Sequence, residues 1–339
     1  MRPSIRQVSE LANVSAMTVS RVMRGRDDLV SPETRERVLK AVRELDYIPV
    51  RFAAQNRHVE TRIVGIVPHM TDLSQRLDLD TLNGVAAGAR DNGYDVLLML
   101  RGEAEWMADR QDLRFLDRRS DGFIFVSVGI GEWGEPLASL VRHKVPTVVC
   151  YRRDVPEEIA WVDPDNAQMV RDAVLCLTEL GHRRIAYIAP PMLGDVPFHL
   201  SMGPIDNYDH KARAHAFAGL TDKMSVNGGV YSEEAMTGET LRSLVKDGVT
   251  AIVTGYHACA LQLWDIALEC GIDVPGQLSL IGIDHAPDAE ARGLTTVGFN
   301  FYDVGKAAFA CFQRLLTGAN PVDCCTAVST SLVVRASCK

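Results

Sequence analysis

The sequence predicts an α/β protein with a small all-helical head, and three observations carry that prediction. Apolar residues in the first 49 positions recur at helical spacing in three short segments. From Ile63 onward, short apolar runs alternate with helical stretches, the pattern of parallel α/β sheets. The charge divides at the same place. Residues 1–62 carry 12 Lys and Arg against 8 Asp and Glu, and the remainder carries 24 against 36, within a net charge of −8. A basic head on an acidic body can bind phosphates locally, because salt screens charges beyond about 8–10 Å. The acidic body then weakens non-specific attachment to a polyanion.

In the head, Ile5, Val8, Leu11 and Ala12 mark a first helix, and Asn13-Val14 breaks it. Ser15 can cap a second helix whose apolar face is Val19, Val22 and Met23. Two short helices joined by a tight turn form a helix-turn-helix. Ser31-Pro32-Glu33 starts a third helix: a capping Ser, Pro at the first helical position and an acid in the first turn. Val38, Ala41, Val42 and Leu45 give this helix its core face. On the second helix Ala16, Met17, Ser20 and Arg21 lie off the core face. Ser15, Thr18 and Ser20 are short hydroxyl residues suited to phosphate contacts. The head therefore points to double-stranded DNA.

In the body, strands are expected at Ile63 to Val67, Asp95 to Leu100, Phe123 to Val126 and Thr147 to Cys150, with a helix near 79–92. A second series follows: helix 167–180, strand Arg184 to Ile188, helix 212–223, strand Ala251 to Thr254, helix 258–270 and strand Ser279 to Ile283. Two such series predict two Rossmann-like lobes with a ligand cleft at the strand carboxyl ends.

Several classes of function are disfavoured. No apolar run reaches the roughly 18 residues of a membrane helix, so no membrane partner is expected. MRPSIRQVSE has no apolar export region, which predicts a cytoplasmic protein. The eight cysteines form no C-x-x-C pair and the nine histidines no H-E-x-x-H. Free thiols and no metal or other cofactor are expected. No G-x-S-x-G, P-loop or G-x-G-x-x-G is present, so an enzyme is not expected.

Two long motifs in the head, V-S-x-x-T-V-S-R-V (Val14 to Val22) and V-S-x-x-T-R-x-x-V-x-x-A-x-x-x-L-x-Y-x-P (Val30 to Pro49), resemble the lactose-repressor (LacI/GalR-type) transcription factors. The body resembles the same family through V-x-x-D-N (Val162 to Asn166), L-G-H-R-R-I-A (Leu180 to Ala186) and A-R-x-x-A-F (Ala212 to Phe217). The likeness continues in S-L-I-G-I-D (Ser279 to Asp284), L-T-T-V (Leu294 to Val297) and L-V-V-R-x-S (Leu332 to Ser337). The resemblance implies lobes of the periplasmic-binding-protein type and a domain plan of 1–49 for DNA, 50–62 as hinge and 63–339 for effector binding and dimerisation. It places the lobe crossings near 161, 292 and 322, giving a first lobe of about 63–161 and 293–321 and a second of about 162–292 and 322–339.

The resemblance also implies residue roles. Ala16 and Met17 stand at the main base-reading positions, where apolar side chains can read only thymine methyls or shape, and Arg21 stands where the family reads guanine. Arg24 replaces a usual Asn and adds a phosphate contact. Asn56 stands at the hinge position where relatives wedge a Leu into the minor groove. A polar residue there predicts less bending of the DNA, or preference for another central base step. In the cleft, Arg213 matches the Arg that forks onto ligand hydroxyls or carboxylates, and Asp284 the acid that accepts sugar hydroxyls. Tyr256 and His257 replace Asn-Asp, Tyr151 and Arg152 replace Asp-Arg, and Tyr231 lies near a pocket aromatic. The long segment from Pro190 to His210 reads either as an ordered loop over the cleft or as a surface insertion without a role there. No leucine-heptad tail follows Arg335, so a homodimer on a pseudopalindromic site is expected.

The reading is a ligand-controlled transcriptional regulator, expected to be a repressor, with a sugar or sugar derivative as effector. The alternatives are an effector acting as corepressor, or an activator; a solute-binding protein and a sugar-processing enzyme are remote alternatives.

Overall fold

The computed structural model describes residues 3–23, 29–47, 60–68, 76–100, 113–126, 130–190, 192–193, 196–199, 203–204, 208–224 and 227–339. Helices Ile5–Ala12, Ala16–Met23 and Pro32–Glu44 form the head. Ser4 and Gln7 build a reciprocal capping box on the first, and Asn13 ends it in the left-handed region. Ser31 caps the third through the Thr34 amide, with Pro32 in its first turn. Val8, Ala12, Val19, Val22, Val38, Ala41, Val42 and Tyr47 close one small core. The expected three helices are present, but Leu11, expected on the apolar face of the first, is 47% exposed, and Ile5, Met23 and Leu45 are only partly buried.

The body holds two six-stranded sheets. The first is ordered β14-β5-β4-β3-β1-β2, from β1 (Ile63–Val67), β2 (Asp95–Leu98), β3 (Gly122–Val126), β4 (Thr147–Cys150), β5 (Ala160–Pro164) and β14 (Thr326–Val328). The second is ordered β10-β6-β11-β12-β13-β15, from β6 (Ile185–Ala189), β10 (Val230–Ser232), β11 (Ala251–Thr254), β12 (Ser279–Ile283), β13 (Thr295–Gly298) and β15 (Ser331–Val333). Every pairing is parallel except β13 with β15. In each sheet the strand order reverses beside the first strand, at β1/β3 and at β6/β11. Such switch points open a crevice at the strand carboxyl ends.

Sheet membership corrects the expected lobe boundaries. β13 belongs to the second sheet, although 293–321 was expected in the first lobe, and β14 belongs to the first, although 322–339 was expected in the second. The chain crosses after β5, after β13 and between β14 and β15, so near 165, 299 and 329. The motifs that suggested earlier crossings are strand-forming apolar runs, and such runs look alike whichever sheet takes them.

One core cluster is continuous through both lobes. It joins Val64, Ile66 and Ile124 of the first sheet to Ile185, Val253 and Ile281 of the second. Helices Arg76–Asp91 and Phe301–Leu316 cross over the first sheet at glycines. A Cβ on Gly84 would stand 2.0 Å from the Tyr302 carbonyl oxygen, and one on Gly305 would stand 2.1 Å from that of Thr81. The strands β7 (Met192–Leu193), β8 (Val196–His199) and β9 (Gly203–Pro204) form a small antiparallel ribbon within the segment read as a loop. Short strands bounded by Pro and Gly give little periodic signal, which is why the sequence reads as irregular there.

Candidate functional site

The head presents its second helix by its amino-terminal face. Ser15 accepts the Thr18 amide at 3.1 Å and shares a 2.9 Å hydrogen bond with the Thr18 hydroxyl. Both hydroxyls are thus engaged in capping. Ala16, Arg21 and Ser15 are exposed, Met17 is 65% exposed, and Thr18 and Ser20 are half-buried. Positions 16, 17, 20 and 21 form one face, opposite the buried Val19 and Val22. Arg24 and Asn56 lie outside the described residues, as does the loop from 69 to 75.

In the body, polar groups gather at the switch point of the second sheet. Arg213, on helix Tyr208–Met224, is buried. It donates from Nε to Asn166 Oδ1 at 2.8 Å and from Nη1 to the Gly255 carbonyl, just past β11, at 2.9 Å. Asn166 in turn donates from Nδ2 to Asp209 Oδ1 at 2.7 Å and stands 3.5 Å from Asp163 Oδ2. Asp163 lies in β5 of the first sheet with no exposed surface, and Arg153 donates to its Oδ2 at 2.7 Å. Burial and the neighbouring Asp209 carboxylate push Asp163 up to about 8, against the pull of Arg153. Burial raises Asp209 as well, opposed chiefly by Arg213. A polar chain therefore runs from the first lobe to the second: Arg153, Asp163, Asn166, Asp209, Arg213.

Asp284 follows β12 at φ 84° and is half-buried; its charge reaches Asp209 and Tyr187. Tyr151 follows β4 at φ 62°, buried, with its hydroxyl 2.6 Å from Thr81 and its ring against Phe299 and Phe301. Left-handed backbone at a non-glycine residue costs about 1–3 kcal/mol, and the surrounding packing holds it here as it does at Asn13, Asp46, Arg62, Arg118 and Lys144. Burial is the main cause that raises the Tyr151 ionisation, and the charge of Asp209 adds to it. Tyr256 donates to Glu233 at 2.7 Å and its ring lies 6.0 Å from that of His210. Arg76 closes another link between the lobes, donating from Nη1 to the His285 carbonyl at 3.1 Å.

Three expected residues stand apart from this cluster. Arg152 is buried against Asp154, 2.6 Å from its carboxylate. Tyr231 packs on the far face of the second sheet, with Ile188 and Leu241. His257 approaches Asp288 at 3.5 Å. Conversely, sequence reasoning passed over Asp163, Asn166, Tyr187, Asp209, His210 and Glu233. An acid inside the apolar run AWVDP and the four-residue spacing of Asp209 and Arg213 were the available signals. A cavity of about 200 Å³ between helices Asn166–Glu179 and Tyr208–Met224 is lined by none of these residues. Among the described residues no group of three or more His, Cys, Asp or Glu is arranged to hold a metal ion, and no helix is long and apolar enough to cross a membrane. The buried thiols of Cys150, Cys259 and Cys311 are raised by desolvation, the condition of unreactive packing cysteines.

Comparison with known proteins decides the class. Residues 4–50 match the model of bacterial regulatory proteins of the lacI family, and residues 174–338 match that of the periplasmic binding protein-like domain. The chain thus carries a LacI-family helix-turn-helix domain followed by a periplasmic binding protein-like domain. Curated relatives that it matches along nearly their whole length are named transcriptional regulators. Catabolite control protein A of Priestia megaterium is 27% identical over 94% of this chain and 92% of its own length. The structure of the transcriptional regulator CelR in complex with cellobiose is 26% identical, with a TM-score of 0.66 over 99% of this chain and 100% of CelR. The lac repressor dimer bound to operator and the anti-inducer ONPF shares the fold at 22% identity, with a TM-score of 0.65 over 99% of both chains.

Proposed function

We propose that this chain is a LacI-family regulator, a cytoplasmic, dimeric repressor whose grip on a pseudopalindromic operator is set by a sugar or sugar derivative bound between its lobes. The observation that supports this best is the buried chain of polar groups from Asp163 to Arg213, which ties one lobe to the other at the switch point. CelR, of similar fold and length, takes cellobiose. A ligand that draws on Arg213 and Asp284 on the second lobe and Tyr151 on the first favours one relation of the lobes over another. The hinge at 50–62 passes that preference to the head. Couplings of this kind are typically about 1–3 kcal/mol and act in both directions.

The reading is tested by a thermal-shift screen of sugars beginning with cellobiose, followed by binding to operator duplexes selected from a random library. Arg213→Ala is expected to abolish both the thermal shift and the change in operator affinity; a full response in that variant overturns the assignment of the cleft. In the head, Arg21→Ala is expected to weaken operator binding by about 1–3 kcal/mol, roughly 5- to 150-fold, and to relax preference at one base pair in each half-site. A uniform loss across all duplexes instead makes Arg21 a phosphate contact.

A further inference from the structure

Two helices that meet at the cleft enclose a pocket on their other side. Helices Asn166–Glu179 and Tyr208–Met224 leave a cavity of about 200 Å³ between them, lined by Ala167, Arg171, His215, Ala216, Gly219 and Leu220. The spacing explains its shape. Ala167 and Arg171 are four apart on one helix, and His215 with Gly219 and Ala216 with Leu220 are four apart on the other, so each pair shares a face. The walls carry two basic side chains and no acid, in a body where acids outnumber Lys and Arg 36 to 24. Both are exposed, and neither meets a carboxylate among the described residues. Arg171 donates to the neutral amide of Gln168 at 3.2 Å, and His215 has no hydrogen bond or ion pair there. Gly219 supplies a separate observation. A glycine inside a helix costs about 0.5–1 kcal/mol relative to alanine. Nothing lies within 4 Å of a Cβ added at Gly219, so no neighbour in the chain requires glycine there. The bare position keeps the groove open.

We infer that this groove is a second ligand site, separate from the cleft between the lobes, for a small molecule with an oxyanion head and an apolar body. The head is a carboxylate or a phosphate ester. It meets the guanidinium of Arg171, whose planar fork of donors matches two oxygens at once. His215 adds a ring N–H donor in either protonation state. The body lies on Ala167, Ala216, Gly219 and Leu220. A cavity of about 200 Å³ is smaller than the roughly 300–1,000 Å³ of a drug-sized site, so that body is a single ring or a short chain. The site is open to water, and its charge attraction falls as salt rises. The same two helices carry Asn166 and Arg213, joined by the 2.8 Å hydrogen bond from Arg213 Nε to Asn166 Oδ1. A filled groove sets the spacing of the helices and with it this contact, so occupancy bears on the cleft without entering it.

The test uses the full-length protein and four probes: benzoate and phenyl phosphate as anions with a ring, benzamide as the neutral counterpart, and inorganic phosphate as an anion without a body. In calorimetry and thermal shift, benzoate, phenyl phosphate or both are expected to bind about tenfold or more tighter than either control. Benzoate alone assigns a carboxylate head, and phenyl phosphate alone a phosphate ester. Arg171→Ala and Gly219→Leu, checked for native circular dichroism, are each expected to lose at least tenfold, the first by removing the fork and the second by filling the groove. The basic head also attracts anions, and the two variants separate the sites: binding retained in both assigns the anion to the head and overturns the inference. It is equally overturned if neither ringed anion binds, if benzamide binds as tightly, or if inorganic phosphate does. The bound anion is expected to change operator affinity by about 5-fold or more. Unchanged affinity with the groove occupied overturns the link to the cleft.

Discussion

Gly305→Val is expected to destabilise the protein by at least about 3 kcal/mol and to deplete the soluble, folded fraction. The reason is that the atoms in the way belong to the backbone. A Cβ at position 305 would stand 2.1 Å from the Thr81 carbonyl oxygen, 2.8 Å from the Val85 nitrogen and 2.9 Å from Gly84 Cα. A flexible side chain could turn aside; a helix backbone hydrogen-bonded into its own turns cannot. The two helices must separate, and their separation loosens Phe309 and Phe312 from Tyr94, whose rings now meet edge-on at 5.7 and 6.1 Å. Overpacking of this kind costs about 1–3 kcal/mol where side chains can adjust and more where they cannot. Urea unfolding followed by circular dichroism measures it. Gly219→Ala is the control. That glycine lies in a helix with nothing within 4 Å of an added Cβ, and the substitution is expected to stabilise by about 0.5–1 kcal/mol. Equal effects at the two positions would mean that the helices are not in close contact at Gly305.

The second large effect concerns pH. Asp163 is fully buried and its pKa in the folded chain is raised to about 8 from an ordinary 3.8. The folded state therefore holds a proton that the unfolded state releases. Its stabilising contribution is complete below about pH 4 and is lost as pH rises toward 8. Between roughly pH 6 and 8 the native protein is expected to lose up to about 1.4 kcal/mol per pH unit from this group. Asp163→Asn, which resembles the protonated acid, is expected to remove that slope. The comparison isolates the effect, because exposed carboxylates respond alike in both proteins. Parallel stability curves for the two across this range would mean that Asp163 is ionised in the folded chain.

Most of the architecture was legible because it rests on periodicity. The head helices carry their caps and apolar faces in consecutive residues, and β1, β4, β11 and β12 were delimited to the residue by runs such as IVGIV and SLIGI. The lobe crossings were misjudged because β13 and β14 are three or four residues long and join whichever sheet lies beside them. Long motifs identified Arg213 and Asp284, and the first does lie at the hub of the polar cluster. Asp163 and Tyr187 escaped notice for a physical reason. Each sits in an otherwise apolar strand, where a single polar residue resembles an interruption until the neighbouring strands and helices surround it. Tyr231 is the opposite case: its position in the chain suggested a pocket, but the alternation of β10 turns it to the outer face.

The three passages between the lobes lie side by side. Val328 pairs with Pro164 at the end of β5, and Ser331 pairs with Gly298 at the end of β13, so the short link from β14 to β15 starts beside one crossing and ends beside the other. Three adjacent tethers resist twisting and sliding but allow folding about a single line, as a door leaf turns on its pins. Filling the gap between the leaves then produces one kind of swing, and a small angle at the pins becomes a larger displacement at the far edge of each leaf.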